Sequence, residues 1–141
     1  MAKTVIIYWS GTGNTEAMAN AIAEGVQEVD SDVTVLSVSE ASEDDVISAE
    51  KVLLGCPSMG VEELEEYEFK PFYDAIKDQL FGKPVGLFGS YDWGNGEWME
   101  AWKTELNELG ADLFSESLIH HLSIDGEEDK ARQFGKNFAS Q

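Results

Sequence analysis

The stretch Thr4-Val5-Ile6-Ile7-Tyr8-Trp9-Ser10-Gly11-Thr12-Gly13-Asn14-Thr15 decides how the rest of the chain reads. Thr4 to Trp9 is a short continuous apolar run, β-branched at first, and such runs mark strands buried on both faces. It breaks into glycines and short polar residues. Asn14 to Glu28 then carries Met18, Ala19, Ile22 and Val26 on one helical stripe. A buried strand, a glycine turn and a helix start, in that order, make a cradle for a phosphate. The glycines let backbone N–H groups turn inward. Ser10, Thr12, Asn14 and Thr15 add short polar side chains, and the helix start adds the positive end of its dipole. An ordinary N-cap needs only one residue of this kind, whereas here they fill every position from Ser10 to Thr15.

The cradle carries no cation, and no basic residue stands between Lys3 and Lys51. That excludes a Walker A loop, whose lysine reaches the terminal phosphates. The dinucleotide pattern GxGxxG is also broken, since Glu16 or Ala17 stands at the third glycine. A neutral cradle suits a ligand held permanently by one terminal phosphate, because a triphosphate to be cleaved needs more positive charge.

Working outward, strand-like and helix-like segments alternate. Val33–Val38, Lys51–Cys56, Pro84–Gly89 and Asp112–Ile119 read as further strands. Glu43–Ile47, Phe69–Leu80, Glu97–Leu109 and Glu127–Phe138 read as helices; Phe72, Ile76 and Leu80 align on one face, and Gly110 stops the fourth helix. Alternation of this kind predicts an α/β, doubly wound parallel sheet of five strands with helices on both faces. Such folds bind ligands at the carboxyl ends of their strands. The loops expected there are Ser10–Thr15, Pro57–Glu68 and Ser90–Gly96. Residues 1–141 read as a single domain.

Asp and Glu number 28 against 9 Lys and Arg, a formal net charge of −19. Nucleic acid and anionic membrane surfaces are therefore poor partners. Basic protein surfaces are good ones, and the acidity also serves solubility. Cys56 is the lone cysteine, so no internal disulfide forms. A structural, buried thiol is expected there, and no arginine follows it at phosphatase-loop spacing. The N-terminal run lacks the h-region of a signal peptide, and no stretch is apolar enough to cross a bilayer. The expectation is a cytoplasmic protein.

The two later loops each carry a large apolar group, Met59 in one and Trp93 in the other. Beside a phosphate cradle they are placed to sandwich a flat aromatic ring. Trp9 and Tyr91 are further candidates near its rim, while Trp98, which begins a helix, is expected in the core. Adjacent His120 and His121 point opposite ways on a strand and are not expected to form a metal pair. Glu62, Glu63, Glu65, Glu66 and Glu68 form an acidic rim, read either as a solvated face or as a docking face for basic partners.

Three motifs carry a family resemblance. YWSGTGNTE (Tyr8–Glu16) resembles the flavodoxin signature for the phosphate of flavin mononucleotide (FMN). GCPSMGVEELEE (Gly55–Glu66) resembles the loop over one face of the flavin. LFGSYDWGNGEWM (Leu87–Met99) resembles the short-chain, clostridial-type loop whose tryptophan stacks on the other face. The resemblance implies the strand order 2-1-3-4-5. It implies a monomeric, low-potential, one-electron carrier that shuttles between oxidised, semiquinone and hydroquinone FMN. Its partners would be redox proteins with basic docking surfaces, such as reductases and iron-sulfur oxidoreductases.

It also implies residue roles. Ser10, Gly11, Thr12, Gly13, Asn14, Thr15 and Ser90 hold the phosphate, and Met59 and Trp93 flank the ring. The Gly60 carbonyl faces N5, Glu62 accepts from N3, and backbone groups of Tyr91, Asp92, Trp93 and Gly94 reach the other ring edge. Ser58 and Val61 complete the covering loop. The chain departs from the family pattern at Pro57, Val61 and Asp92, and in the His120–Ser123 segment. Val61 is β-branched where a turn residue is usual, so a turn needing positive φ there would be strained. An alternative of the same fold, a flavin-dependent quinone or NAD(P)H reductase, would need a substrate cavity and a nicotinamide site for which no segment is evident. A phosphoacceptor signalling domain would need acidic residues where Ser10 and Gly11 stand.

Overall fold

A computed structural model of the chain describes residues 3–11, 13–30, 32–57, 65–91, 96–121 and 126–141, with the side chains at 115, 116 and 121 excepted. Strands β1 (Thr4–Tyr8), β2 (Val33–Ser37), β3 (Lys51–Gly55), β4 (Pro84–Tyr91) and β5 (Asp112–His121) form one five-stranded parallel sheet in the order β2-β1-β3-β4-β5. The helices are α1 (Asn14–Gln27), α2 (Glu43–Ser48), α3 (Phe69–Ile76), α4 (Glu97–Glu108) and α5 (Glu128–Ser140).

The continuous apolar strands result from burial on both faces. Ile6 and Tyr8 of β1 pack with Met18, Ile22 and Val26 of α1 and with Phe134 and Phe138 of α5. Val5 and Ile7, pointing the other way, pack with Val46 of α2, Tyr73 and Ile76 of α3, and Trp98 and Trp102 of α4. Every residue of β1 is buried, so no polar alternation could appear in its sequence. The α1 stripe expected from periodicity is buried throughout.

Most boundaries differ from expectation by one or two residues, and three of the differences have a clear physical reason. The third helix leaves α geometry after Ile76 and finishes as a 3-10 turn over Lys77–Leu80. Its buried stripe is Phe69, Tyr73, Ile76 and Leu80, with Phe72 only half-buried. β4 and β5 each run two residues further, because Ser90 pairs with His120 and Tyr91 with His121. Polar side chains there resembled loop, yet the ladder between neighbouring strands carries both ends outward. Among the described residues no helix is long and apolar enough to cross a membrane.

Candidate functional site

The sheet order reverses between β1 and β3, so the segments after them diverge to opposite faces and leave a crevice at the carboxyl ends. The β1 side is built by the turn into α1. Gly13 sits at the N-cap with φ 93°, a left-handed conformation that glycine adopts without strain. Its N–H donates to Ser10 Oγ at 3.0 Å, which closes the turn. The first intrahelical bond runs from Ala17 N–H to Gly13 O at 3.0 Å, and among the described residues no side chain caps the helix. The N–H groups of Asn14, Thr15 and Glu16 therefore lack intrahelical acceptors. Among the described residues, a Cβ built on Gly13 would meet no atom within 4 Å, so the space beside this glycine is open.

Thr15 and Ser90 are both buried, and their hydroxyl oxygens lie 3.1 Å apart. This contact joins the first turn of α1 to the end of β4 across the crevice. Beside it Tyr8 donates its hydroxyl to Glu16 at 2.9 Å. Burial, with the Glu16 acceptor adding to it, pushes the Tyr8 phenol up to about 12. A cleft of about 290 Å³ opens here between Trp9, Ser10, Gly13, Ser37, Ser39 and Glu68. Its named walls bring hydroxyls, an indole and a carboxylate, but no cation.

The β3 side ends at Cys56, which is fully buried as expected of a structural thiol. Burial pushes that thiol up to about 12. Its sulfur accepts the Glu65 N–H at 3.3 Å, and its carbonyl accepts Trp98 Nε1–H at 3.2 Å. Trp98 is thus a core residue, as expected, while the half-buried ring of Tyr91 stands 5.9 Å from it. Trp9, also half-buried, donates Nε1–H to Glu68 at 3.1 Å.

The acidic rim needs one correction. Glu65 is only 3% exposed. Its carboxylate accepts the backbone N–H groups of Tyr67 at 2.6 Å, Glu68 at 2.9 Å and Phe69 at 2.8 Å. It closes the start of α3 and cannot serve as a docking charge; Glu66 and Glu68 remain exposed. An acidic residue just before a helix is a capping signal, but in a run of five acids it was indistinguishable from its neighbours. Of the other site residues read from the sequence, Thr12, Ser58, Met59, Gly60, Val61, Glu62, Asp92, Trp93 and Gly94 lie outside the described residues, as does Glu63.

A family model described as flavodoxin matches residues 6–135 of this chain. A flavodoxin from Megasphaera elsdenii is 46% identical over 125 residues, covering 89% of this chain and 91% of that one. A flavodoxin from Clostridium beijerinckii is 43% identical over 135 residues, covering 96% and 98%. The solution structure of two-electron reduced Megasphaera elsdenii flavodoxin superposes with a TM-score of 0.88 at 42% identity, covering 98% of this chain and 99% of that one.

Proposed function

The chain belongs to the flavodoxin family, of the short-chain clostridial type, and from that premise we propose how its own residues hold FMN and meet redox partners. The protein is an FMN-dependent one-electron carrier, and its matches support that role over a quinone or NAD(P)H reductase. Bound FMN supplies the redox chemistry. The residues present fit its phosphate: a helix start that no side chain among the described residues caps, behind a left-handed glycine with open space beside it, offers N–H donors and a dipole to an anion. This is the observation that carries the assignment.

In this reading the N–H groups of Asn14, Thr15 and Glu16 and the turn Ser10-Gly11-Thr12-Gly13 bind the phosphate. The Thr15 and Ser90 hydroxyls, already in contact, orient toward it. Met59 and Trp93 exclude water from the two faces of the ring. Ser58, Gly60, Val61 and Glu62 form the covering turn, with the Gly60 carbonyl at N5 and the Glu62 carboxylate at N3. Backbone groups of Tyr91, Asp92 and Gly94 hold the far edge. Residues 1–141 form one domain, which works as a cytoplasmic monomer and engages no nucleic acid or membrane. Redox proteins with basic faces are its partners, supported by the net charge of −19.

The test is extraction and chromatography of the cofactor from purified protein. FMN at one per chain is expected; FAD, or no flavin, would overturn the assignment. Electron transfer with a basic reductase should slow as salt rises, and a salt-independent rate would overturn the partner reading.

A further inference from the structure

Among the described residues no large hydrophobic side chain is more exposed than Tyr67, at 83%. Single exposed apolar residues are ordinary, but three observations set this one apart. Its backbone is fixed, because the buried Glu65 carboxylate binds the N–H groups of Tyr67, Glu68 and Phe69. The turn is tied to the candidate site, because Glu68 accepts the Nε1–H of Trp9, the residue that leads into the phosphate turn. The ring is also flanked in sequence by two exposed carboxylates, Glu66 and Glu68. Phe81, 77% exposed, has no flanking carboxylate in sequence and lies at the opposite end of the sheet, just before β4.

An aromatic face is electron-rich, and a cation set over it beside carboxylates gains from both at once. Tyrosine loses little rotamer freedom on docking, and a turn that is already ordered lowers the cost further. We propose that Tyr67 is the anchor that seats a lysine or arginine of the basic redox partner, with Glu66 and Glu68 steering that cation toward it. This rests on the reading that partners dock through basic faces. The two parts of the patch have separate kinetic roles. The carboxylates set the encounter rate and its salt dependence, and the ring sets how long the complex lasts.

The test uses the FMN-loaded protein and mitochondrial cytochrome c, a lysine-rimmed haem protein, as the basic probe. Association and dissociation rates are measured at low and moderate salt. Tyr67→Ala should weaken binding about fivefold to tenfold through faster dissociation, while Tyr67→Phe stays within about twofold. Glu66→Gln should slow association and flatten its salt dependence. The flavin absorption spectrum should be unchanged in all three. Wild-type binding that falls with salt, with Tyr67→Ala behaving as wild type, removes the anchor and leaves the basic-partner reading standing. A loss in Tyr67→Phe equal to that in Tyr67→Ala also overturns the proposal, because the hydroxyl and not the ring would carry the contact. If the wild type fails to bind cytochrome c even at low salt, the basic-partner reading falls and the anchor with it.

Discussion

Replacing Glu65 with alanine should be among the most damaging single changes outside the sheet. The side chain is 3% exposed and supplies the acceptors for three backbone N–H groups at the entry to α3, at 2.6, 2.9 and 2.8 Å. Tyr67 and Glu68 are exposed, so water replaces the carboxylate at those two positions and the loss there is of helix-cap size, about 1–2 kcal/mol. Phe69 is fully buried, and its orphaned N–H costs a further ~1–3 kcal/mol. The sum is about 3 kcal/mol. For a chain of 141 residues, each kcal/mol moves the melting temperature by roughly 3–5 °C, so a fall of about 10 °C is expected. Glu65→Gln keeps one acceptor oxygen and should lose about half as much. Glu65→Lys would bury an unpaired ammonium and should do worse than alanine. The assay is urea and thermal unfolding of the cofactor-free protein by circular dichroism, which removes any stabilisation by bound FMN. The midpoint should fall while the urea dependence stays constant. An alanine variant within about 0.5 kcal/mol of wild type, the scatter of ordinary surface changes, would refute the capping role.

Further outcomes are expected. Thr15→Val removes one of two paired buried hydroxyls and should lower FMN affinity about tenfold in a fluorescence titration, the effect of losing roughly one hydrogen bond to a charged group; unchanged affinity would take the pair out of the phosphate site. FMN affinity should rise with added salt, because a dianion approaches a chain of net charge −19 and screening weakens the repulsion; a fall with salt would mean that an ion pair holds the phosphate. The Cys56 thiol, raised from 9.0 to about 12, keeps its proton in the folded state after the unfolded chain has lost its own. Its contribution is therefore complete below pH 9 and drains away toward pH 12 at ~1.4 kcal/mol per pH unit, so Cys56→Ser should show a shallower loss between pH 8 and 10 in urea titrations. Gly135→Ala should destabilise by about 2–3 kcal/mol, since a Cβ there would sit 2.2 Å from the Ile22 carbonyl and wedge α5 away from α1; unfolding at wild-type urea concentrations would show that the helices yield freely.

Most of the architecture was legible because the periodicities are clean. Val5 to Tyr8 is hydrophobic at every position since neighbouring residues face different helix layers, and the α1 stripe repeats at helical spacing since one face of the helix is buried. What failed did so where local chemistry and long-range pairing disagree. Ser90 and His120 look like loop residues, yet each is held in a strand by the other, and nothing within either segment announces the partner. Glu65 fails for a related reason. Its neighbours Glu66 and Glu68 share its chemistry, and only the fold decides which carboxylate turns inward under α3. The strand-turn-helix unit that opens the chain was legible because its signal is entirely local: a strand, glycines, hydroxyls and a helix start lie within twelve consecutive residues, Thr4 to Thr15. The Thr15–Ser90 contact was not local, and only the family resemblance had paired those positions.

Seven of the nine cations of the chain make bonds away from the turn between β1 and α1. Lys51 donates to the carbonyls of Ala139 and Gln141 at 2.9 and 3.1 Å, closing the end of α5. Lys83 donates to Val46, Ile47 and Ala49 at 2.7, 3.3 and 2.7 Å, closing α2, and burial lowers its pKa. Lys70 and Lys77 pair with Asp74, Lys103 with Glu100, Lys130 with Glu127, and Arg132 with Glu24 and Asp129. None of these bonds reaches the turn from Ser10 to Thr15. In the proposed reading, a phosphate at this turn would be held by aligned neutral donors, whose strength depends on geometry rather than on charge. The same economy acts on the electron. Among the described residues no cation is bonded to the proposed site, so the field of a strongly negative chain would disfavour added negative charge on a flavin held there. If partners dock through basic faces as proposed, the charge that would draw them would also favour release of the electron to them.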